Sequence, residues 1–154
     1  MKLTIELVPQ GQWGANLRKV LPKSDWDTLR KRQYNLADYC CEICGGKGPK
    51  WPVECHEIWE YNDGEKIQTL TGLVALCPPC HRVKHMGRSM SVGKGEETVA
   101  HFMDVNDCSR NVANAYVEDA FTQWHDRSSY EWYLELSWLK NNGIAIPPQL
   151  EMVG

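Results

Sequence analysis

The chain has no run of about 20 apolar residues, the length needed to cross a bilayer as a helix, which excludes a membrane-spanning helix and a membrane partner. It also lacks a signal-peptide pattern: Met1 to Pro9 alternates charged and apolar residues where a leader would present an unbroken apolar core. A soluble, intracellular protein is expected. Net positive charge is missing too. With 17 Lys and Arg against 20 Asp and Glu, a formal charge of -3, the chain is not built to coat nucleic acid by bulk charge alone. No internal repeat is visible. An even cysteine count is absent as well: there are seven, no secretion signal precedes them, and four fall in two Cys-x-x-Cys pairs. That pattern excludes a simple disulfide framework and favours reduced thiolates on a metal.

What is present is unevenly distributed. Residues 1 to 95 carry 14 Lys and Arg against 10 Asp and Glu, whereas 96 to 154 carry 3 against 10. The basic half is the cysteine half, where local positive charge can steer a phosphate backbone. At 154 residues the chain is expected to form one domain, or a core module with appendages. Lys2 to Val8 alternates Leu3, Ile5 and Leu7 with polar residues, which predicts a half-buried strand ended by Pro9. Gly11, Gly14 and Pro22 then mark a loop. Ser24 is placed to cap a helix from Asp25 to about Asp38. Arg30, Lys31 and Arg32 on that helix form the densest basic run, suited either to a solvated face or to nucleic-acid contact.

Val53 to Trp59 reads as a strand, Asn62-Asp63-Gly64 as a reversal, and Gln68 to Leu76 as the second strand of a hairpin. His81 to about Met86 begins a helix stopped by Gly87. Gly87 to Gly95 is rich in glycine and serine and predicts a linker or mobile loop. Helices are expected over Glu96 to Val105 and Ser109 to about Arg127, the latter burying Val112, Ala115, Tyr116, Ala120, Phe121 and Trp124. Glu131 to Leu139 alternates Trp132, Leu134, Leu136 and Trp138 with polar residues, a strand that could pair with Leu3 to Leu7. Gly143 to Gly154 reads as an irregular tail.

A Cys-x-x-Cys turn sets two thiolates on one side of a tight loop, and two such turns complete the tetrahedral sulfur shell that zinc prefers. Cys41, Cys44, Cys77 and Cys80 are therefore predicted zinc ligands, Cys41 being preferred to Cys40 for its two-residue gap. Four sulfurs leave no open position, so this zinc would be structural. The 32 residues between the pairs, Gly45 to Leu76, exceed the insert of a simple zinc ribbon. They contain Cys55-His56-Glu57 on the first predicted strand. The second pair runs directly into His81 and His85, four apart on a predicted helix and so on one face. With His56 or Glu57 from the strand they could hold a second divalent metal; otherwise His81 packs under the zinc turn and His85 is solvated.

At these residues the chain resembles the zinc-bearing HNH endonuclease superfamily. Cys41-Glu42-Ile43-Cys44, Val53 to Ile58, Leu73 to His81 and Lys84-His85 carry the likeness, which spans about residues 40 to 87. The resemblance implies a ββα-metal fold, phosphodiester cleavage with one divalent metal (Mg, Mn, Ni or Zn) and a base that activates water, in a bacterial or phage setting and hence a bacterial or phage-infected cytoplasm. It implies His56, His81 and His85 as ligands of that metal, Glu57 or His56 as the base, and Arg82 and Lys84 on phosphate. The sequence departs from the pattern at Glu57, where the base histidine falls, and at Gly72, where the family has asparagine. Shifting the match by one residue makes His56 the base and leaves Cys55 as a ligand.

The expected fold is α+β: an HNH-like ββα module clamped by a four-cysteine zinc, with an N-terminal strand and helix and a C-terminal helical region ending in a strand. Segments are expected at 1–39 (strand and basic helix), 40–87 (zinc module), 88–95 (linker) and 96–154 (acidic helical region), packed together. The expected function is a metal-dependent endonuclease acting on DNA. The competing expectation is a catalytically inactive HNH-like zinc module that binds nucleic acid or a protein. A protein partner could use the acidic C-terminal region, with Trp124 and Trp132 to Trp138 as its surface.

Overall fold

The computed structural model describes residues 1–11 and 16–151; Gly14 of the predicted loop, and residues 152–154 of the tail, lie outside them. The chain is mixed α and β. Its elements are α1 (Leu17–Val20), α2 (Lys23–Leu36), β1 (Glu54–Asn62), β2 (Ile67–Leu76), α3 (Pro78–Lys84), α4 (Met86–Ser91), α5 (Gly95–Asn106), α6 (Arg110–Arg127), β3 (Tyr133–Glu135), α7 (Ser137–Asn141) and α8 (Pro148–Glu151). No helix among the described residues is long and apolar enough to cross a membrane.

The hairpin forms where the alternating pattern places it. β1 and β2 pair antiparallel from Glu54 opposite Leu76 to Asn62 opposite Ile67, with one irregularity between Ile58 and Trp59. Asn62 Oδ1 accepts from the Glu65 amide at 2.9 Å and tightens the reversal. Because successive strand residues face opposite ways, the hairpin feeds two apolar clusters. Val74 packs toward one that joins Leu3, Ile5, Val83, Phe102 and Val117. Leu73 belongs to the other, with Leu17, Trp26, Trp59, Leu134 and Leu150. Both clusters combine residues from the start and the end of the chain, so the predicted segments share their cores.

Several expectations are corrected. Ser24 does not cap α2: the helix begins at Lys23, and the Pro22 carbonyl accepts from Asp25 and Trp26 instead. Residues 2 to 8 form no strand. Leu3 and Ile5 are buried as expected, but the Leu3 amide donates to Asn106 Oδ1 and the Leu3 carbonyl accepts from Asn106 Nδ2, both at 2.9 Å, so one side chain replaces a ladder. The predicted strand at 131–139 shrinks to Tyr133–Glu135, which lies parallel to β2 and not beside Leu3 to Leu7. Its alternation still buries Trp132, Leu134 and Leu136. Glu135 Oε1 then accepts from the Ser137 amide and hydroxyl and turns the chain into α7.

The first helix after the hairpin breaks at His85 (φ -103°, ψ 47°), not at Gly87, which lies inside α4. Most of the predicted 88–95 linker is thereby helical. Ser89 is buried and its hydroxyl donates to the Arg82 carbonyl at 2.8 Å; the small residues serve packing. On α6 the buried stripe is Ala113, Val117 and Ala120, while Val112 and Ala115 face solvent. Tyr116, Phe121 and Trp124 are partly buried, and Trp124 Nε1 donates to the Val8 carbonyl at 2.9 Å. Trp132 is core, Trp138 is half-buried against the second cluster, and Tyr133 between them is exposed. The tail is not wholly irregular, since residues 148–151 make a helical turn and Leu150 is buried.

Arg127, buried at the end of α6, holds the hairpin turn: its Nε and Nη2 donate to the two carboxylate oxygens of Asp63 at 2.9 and 3.0 Å, and its guanidinium lies 4.3 Å from the Tyr61 ring centre. The Arg127 hydrogen bond holds the Asp63 carboxyl below its ordinary range. A carboxyl lowered by folding contributes stability above its unfolded value and loses it as pH falls through the folded one. Asp63→Asn is therefore expected to be less stable than the parent near neutral pH, the gap closing in acid, as read by denaturant midpoints across pH. Asn106→Ala, which strands both backbone groups of Leu3, is expected to cost about 1–3 kcal/mol in urea melts and to speed hydrogen exchange at Leu3.

Candidate functional site

The first candidate centre is built by two turns that meet at the end of the hairpin. In the first, Gly45 takes φ 77°, a left-handed conformation suited to glycine, and its amide donates to the Cys41 carbonyl. The Cys44 amide points at Cys41 Sγ (3.5 Å) and the Gly46 amide at Cys44 Sγ (3.4 Å), the N–H to sulfur pattern that supports thiolates. In the second, Cys77 precedes α3, Pro78 opens the helix at a position where its missing N–H costs nothing, and Cys80 falls in the first turn. Glu42 joins the two: its amide donates to the Ala75 carbonyl, and its Oε2 accepts from the Ala75 amide at 2.6 Å.

One sulfur from each of Cys41, Cys44, Cys77 and Cys80 lies within 4.8 Å of the others. The Cys44 to Cys77 sulfur distance is 3.6 Å. A tetrahedron with zinc–sulfur bonds of about 2.3 Å has an edge of about 3.8 Å, so the cluster could hold a metal ion such as zinc. Its electrostatics agree. The Cys80 hydrogen bond draws the Cys41 thiol down to about 4, while that same contact drives Cys80 strongly upward and burial pushes Cys77 up to about 11. One thiolate thus suppresses ionisation of its neighbours, which a dication would relieve. His101 of α5 brings Nε2 to 3.2 Å from Cys80 Sγ, a partner beyond the four sulfurs that no sequence spacing announces. Cys40, Cys55 and Cys108 stand outside the cluster, and burial pushes the Cys55 thiol up to about 12.

The second candidate centre is one residue away. His56 of β1, His81 of α3 and His85 at the break between α3 and α4 bring one ring nitrogen each within 4.8 Å of one another. His81 Nε2 and His85 Nε2 are 3.1 Å apart, and the three ring centres are 4.7 to 5.2 Å apart, edge to face. His81 Nδ1 donates to Glu54 Oε1 at 2.9 Å, which frees Nε2 as an acceptor and holds the Glu54 carboxyl below its usual range. Burial, with His81 alongside, holds His56 down to about 2 and His85 to about 4, so both rings stay neutral, the form that ligates metals. His56 Nδ1 is buried with no hydrogen-bond partner. Ligands about 2.1 Å from a shared ion lie about 3.0–3.4 Å apart, so the residues fit a divalent metal.

The other predicted residues divide. Glu57, next to His56, faces the opposite side of β1; its Oε1 accepts from the Leu17 amide at 2.8 Å, and burial pushes its carboxyl up. It still reaches the open edge of β1, where it lines a cleft of about 1110 Å³ with His81, His85, Arg30 and Lys31. Arg32 lies elsewhere, donating to the Asn142 carbonyl at 3.2 Å. Lys84 is also drawn away, bonded to Thr4 Oγ1 (2.9 Å) and Glu6 Oε2 (3.1 Å). Arg82 does reach the histidines, lining a smaller recess of about 300 Å³ with Glu54, His81, His85, Arg88 and Lys94. Glu54, Arg88 and Lys94 were not predicted. Glu54 was readable, because it sits two residues before His56 on the same strand face. The two cations were hidden in the segment taken for a linker.

No protein-family model matches the chain, and no curated protein and no solved structure matches it.

Elemental analysis of the purified protein is expected to find zinc bound by the four cysteines at one ion per cluster. Cys77→Ser should lose it, and chelation should lower the thermal midpoint of the parent but not of that variant. Because protons compete with metal for the thiolates, release should grow as pH falls.

Proposed function

We propose that the chain is an HNH-type, metal-dependent endonuclease that hydrolyses DNA phosphodiester bonds. The observation that carries this reading is the convergence of His56, His81 and His85, the last two of which line both of two cation-bearing clefts. Strand, strand and helix follow in the order that the ββα-metal resemblance implies, and the paired cysteines stand at both ends of the hairpin. A zinc held by four sulfurs has no vacant position, so the four-cysteine site would hold the scaffold and the histidine site would face substrate.

His56, His81 and His85 would hold the second ion, which supplies Lewis-acid polarisation of the phosphodiester when bound. Glu54 fixes the His81 ring through Nδ1, so that Nε2 points to the shared position. Arg82 and Arg88 form no ion pair among the described residues and are placed to bind phosphate in the smaller recess. In the shifted alignment Cys55 would be the ligand, but among the described residues it is His56, and not Cys55, that groups with His81 and His85, and Cys55 is buried in an apolar cluster with Trp59 and Leu73. His56 is accordingly the ligand, and Glu57 takes the role of base. Its buried carboxyl has a raised proton affinity, and it lines the same cleft as the histidines.

One observation favours the inactive alternative. Gly72, where the family has asparagine, pairs with Ile58 in the ladder and supplies no side-chain amide to brace the site. Plasmid and single-stranded DNA incubated with the zinc-loaded protein and added Mg, Mn, Ni or Zn decide between them. Metal-dependent cutting is expected, with His56→Ala and His81→Ala abolishing it. Glu57→Gln should slow it about 10²- to 10⁴-fold without loss of the structural zinc. If DNA stays intact under every metal, the catalytic reading is lost and the binding module remains.

A further inference from the structure

We propose that the large cleft takes unpaired DNA, with bases stacked on an aromatic rim, so that the substrate class of the site is single-stranded DNA or duplex carrying an unpaired stretch. As a statement about substrate this rests on the nuclease reading above; as a statement about binding it stands on the cleft itself.

One wall of the cleft, from α1 and α2, carries Arg18, Lys23, Arg30 and Lys31. Asp27 pairs with Lys23 (2.8 Å) and Arg30 (2.9 Å), which leaves an excess of positive charge on that wall. The rim also carries Tyr39 and Trp51, 41% and 51% exposed. Large aromatics are seldom left this open: among the described residues only Tyr130 and Tyr133 match them. Two of the four thus border one cleft.

Both rings are held in place. Trp51 Nε1 donates to Glu54 Oε2 at 3.0 Å, and the other oxygen of that carboxylate holds His81, so the indole is fixed beside the histidines. Tyr39 follows Asp38, and both take φ 55°, a left-handed conformation that side chains disfavour. The Tyr39 amide closes this turn on the Tyr34 carbonyl at 2.9 Å, and the two tyrosine rings lie 6.2 Å apart. Such a turn keeps Tyr39 at the rim instead of letting it fold into the core.

Cations alone would accept any polyanion. The aromatic rim narrows the choice, because a duplex hides its base faces in the stack, whereas an unpaired base presents a π-face that tyrosine and tryptophan can cover. Beyond His81 and His85, Arg82, Arg88 and Lys94 continue the positive track. A strand entering along the aromatic rim would therefore pass the histidines and leave its next phosphates in the smaller recess.

The test uses the full zinc-loaded chain with no second metal added, and fluorescein-labelled oligonucleotides of about 15 nucleotides, a span typical of single-strand sites, read by anisotropy at low salt. Single-stranded DNA should bind at least about tenfold tighter than the matching duplex. Trp51→Ala and Tyr39→Ala should each weaken single-strand binding about 5- to 100-fold and leave duplex binding unchanged, whereas Trp51→Phe, which keeps a ring, should retain most of it. An abasic strand should bind the parent at least as weakly as the intact strand binds either alanine variant. Equal affinity for single strand and duplex, or indifference to both alanine variants, overturns the proposal, and tighter binding of RNA of the same sequence overturns the assignment to DNA. A protein that cuts nothing yet keeps base-dependent binding defeats the nuclease reading and supports this one. An active nuclease blind to pairing and to both aromatics does the reverse.

Discussion

The meeting of four cysteine sulfurs at the foot of the hairpin is the constraint on which the rest of the structure depends. Cys41 and Cys44 belong to a loop before β1, and Cys77 and Cys80 to the start of α3, so bringing their sulfurs together fixes both ends of the intervening hairpin. Because Cys80 and His81 are consecutive, whatever seats the sulfur also places the helix that carries His81 and ends at His85. The hairpin alone could not do this. Its two faces feed different apolar clusters and its first strand is an edge, while the cysteine end is buried with Cys41, Leu76, Cys77 and Cys80 in one of them, so packing and sulfur chemistry meet at the same point.

From that clamp the site is assembled by short, specific contacts. Glu42 ties the first cysteine turn to the end of β2 and also accepts from Gln33 of α2 at 3.0 Å. The helix that lines the large cleft is thereby connected to the same carboxylate that seats the sulfurs. Glu54 plays the matching part at the other centre, joining Trp51 to His81. Two carboxylates, one per centre, join the clustered cysteines and histidines to the walls around them.

The sequence was most legible where chemistry and local geometry coincide. The Cys-x-x-Cys spacing, the reversal at Asn62 and the four-residue spacing of His81 and His85 all follow from near neighbours, and the hairpin between the cysteine pairs then brings His56 to them. It was least legible where a distant side chain decides. Leu3 to Leu7 has the period of a strand, but Asn106, 103 residues away, occupies its backbone groups. Residues 88–95 have the composition of a linker, but Met86 and Ser89 find a buried place against α3 and α5 and become helix. On α6 the stripe was read correctly at Tyr116, Ala120, Phe121 and Trp124 but missed Ala113 and Val117, which the helix turns inward while Val112 and Ala115 stay out. The cleft itself was invisible, since Tyr39, Trp51 and Lys31 belong to separate segments that only the folded chain assembles.

His85 has a double position. It is the residue at which α3 ends and α4 begins, its backbone outside helical geometry, while its ring closes the histidine group. The corner of the chain and the third donor are therefore one and the same. The place of that ring and the angle between the two helices are therefore set at one residue, with Arg88 one turn further along α4. The donor group and the cation of the smaller recess are thus hinged on the same turn of chain, so that neither has a position independent of the other.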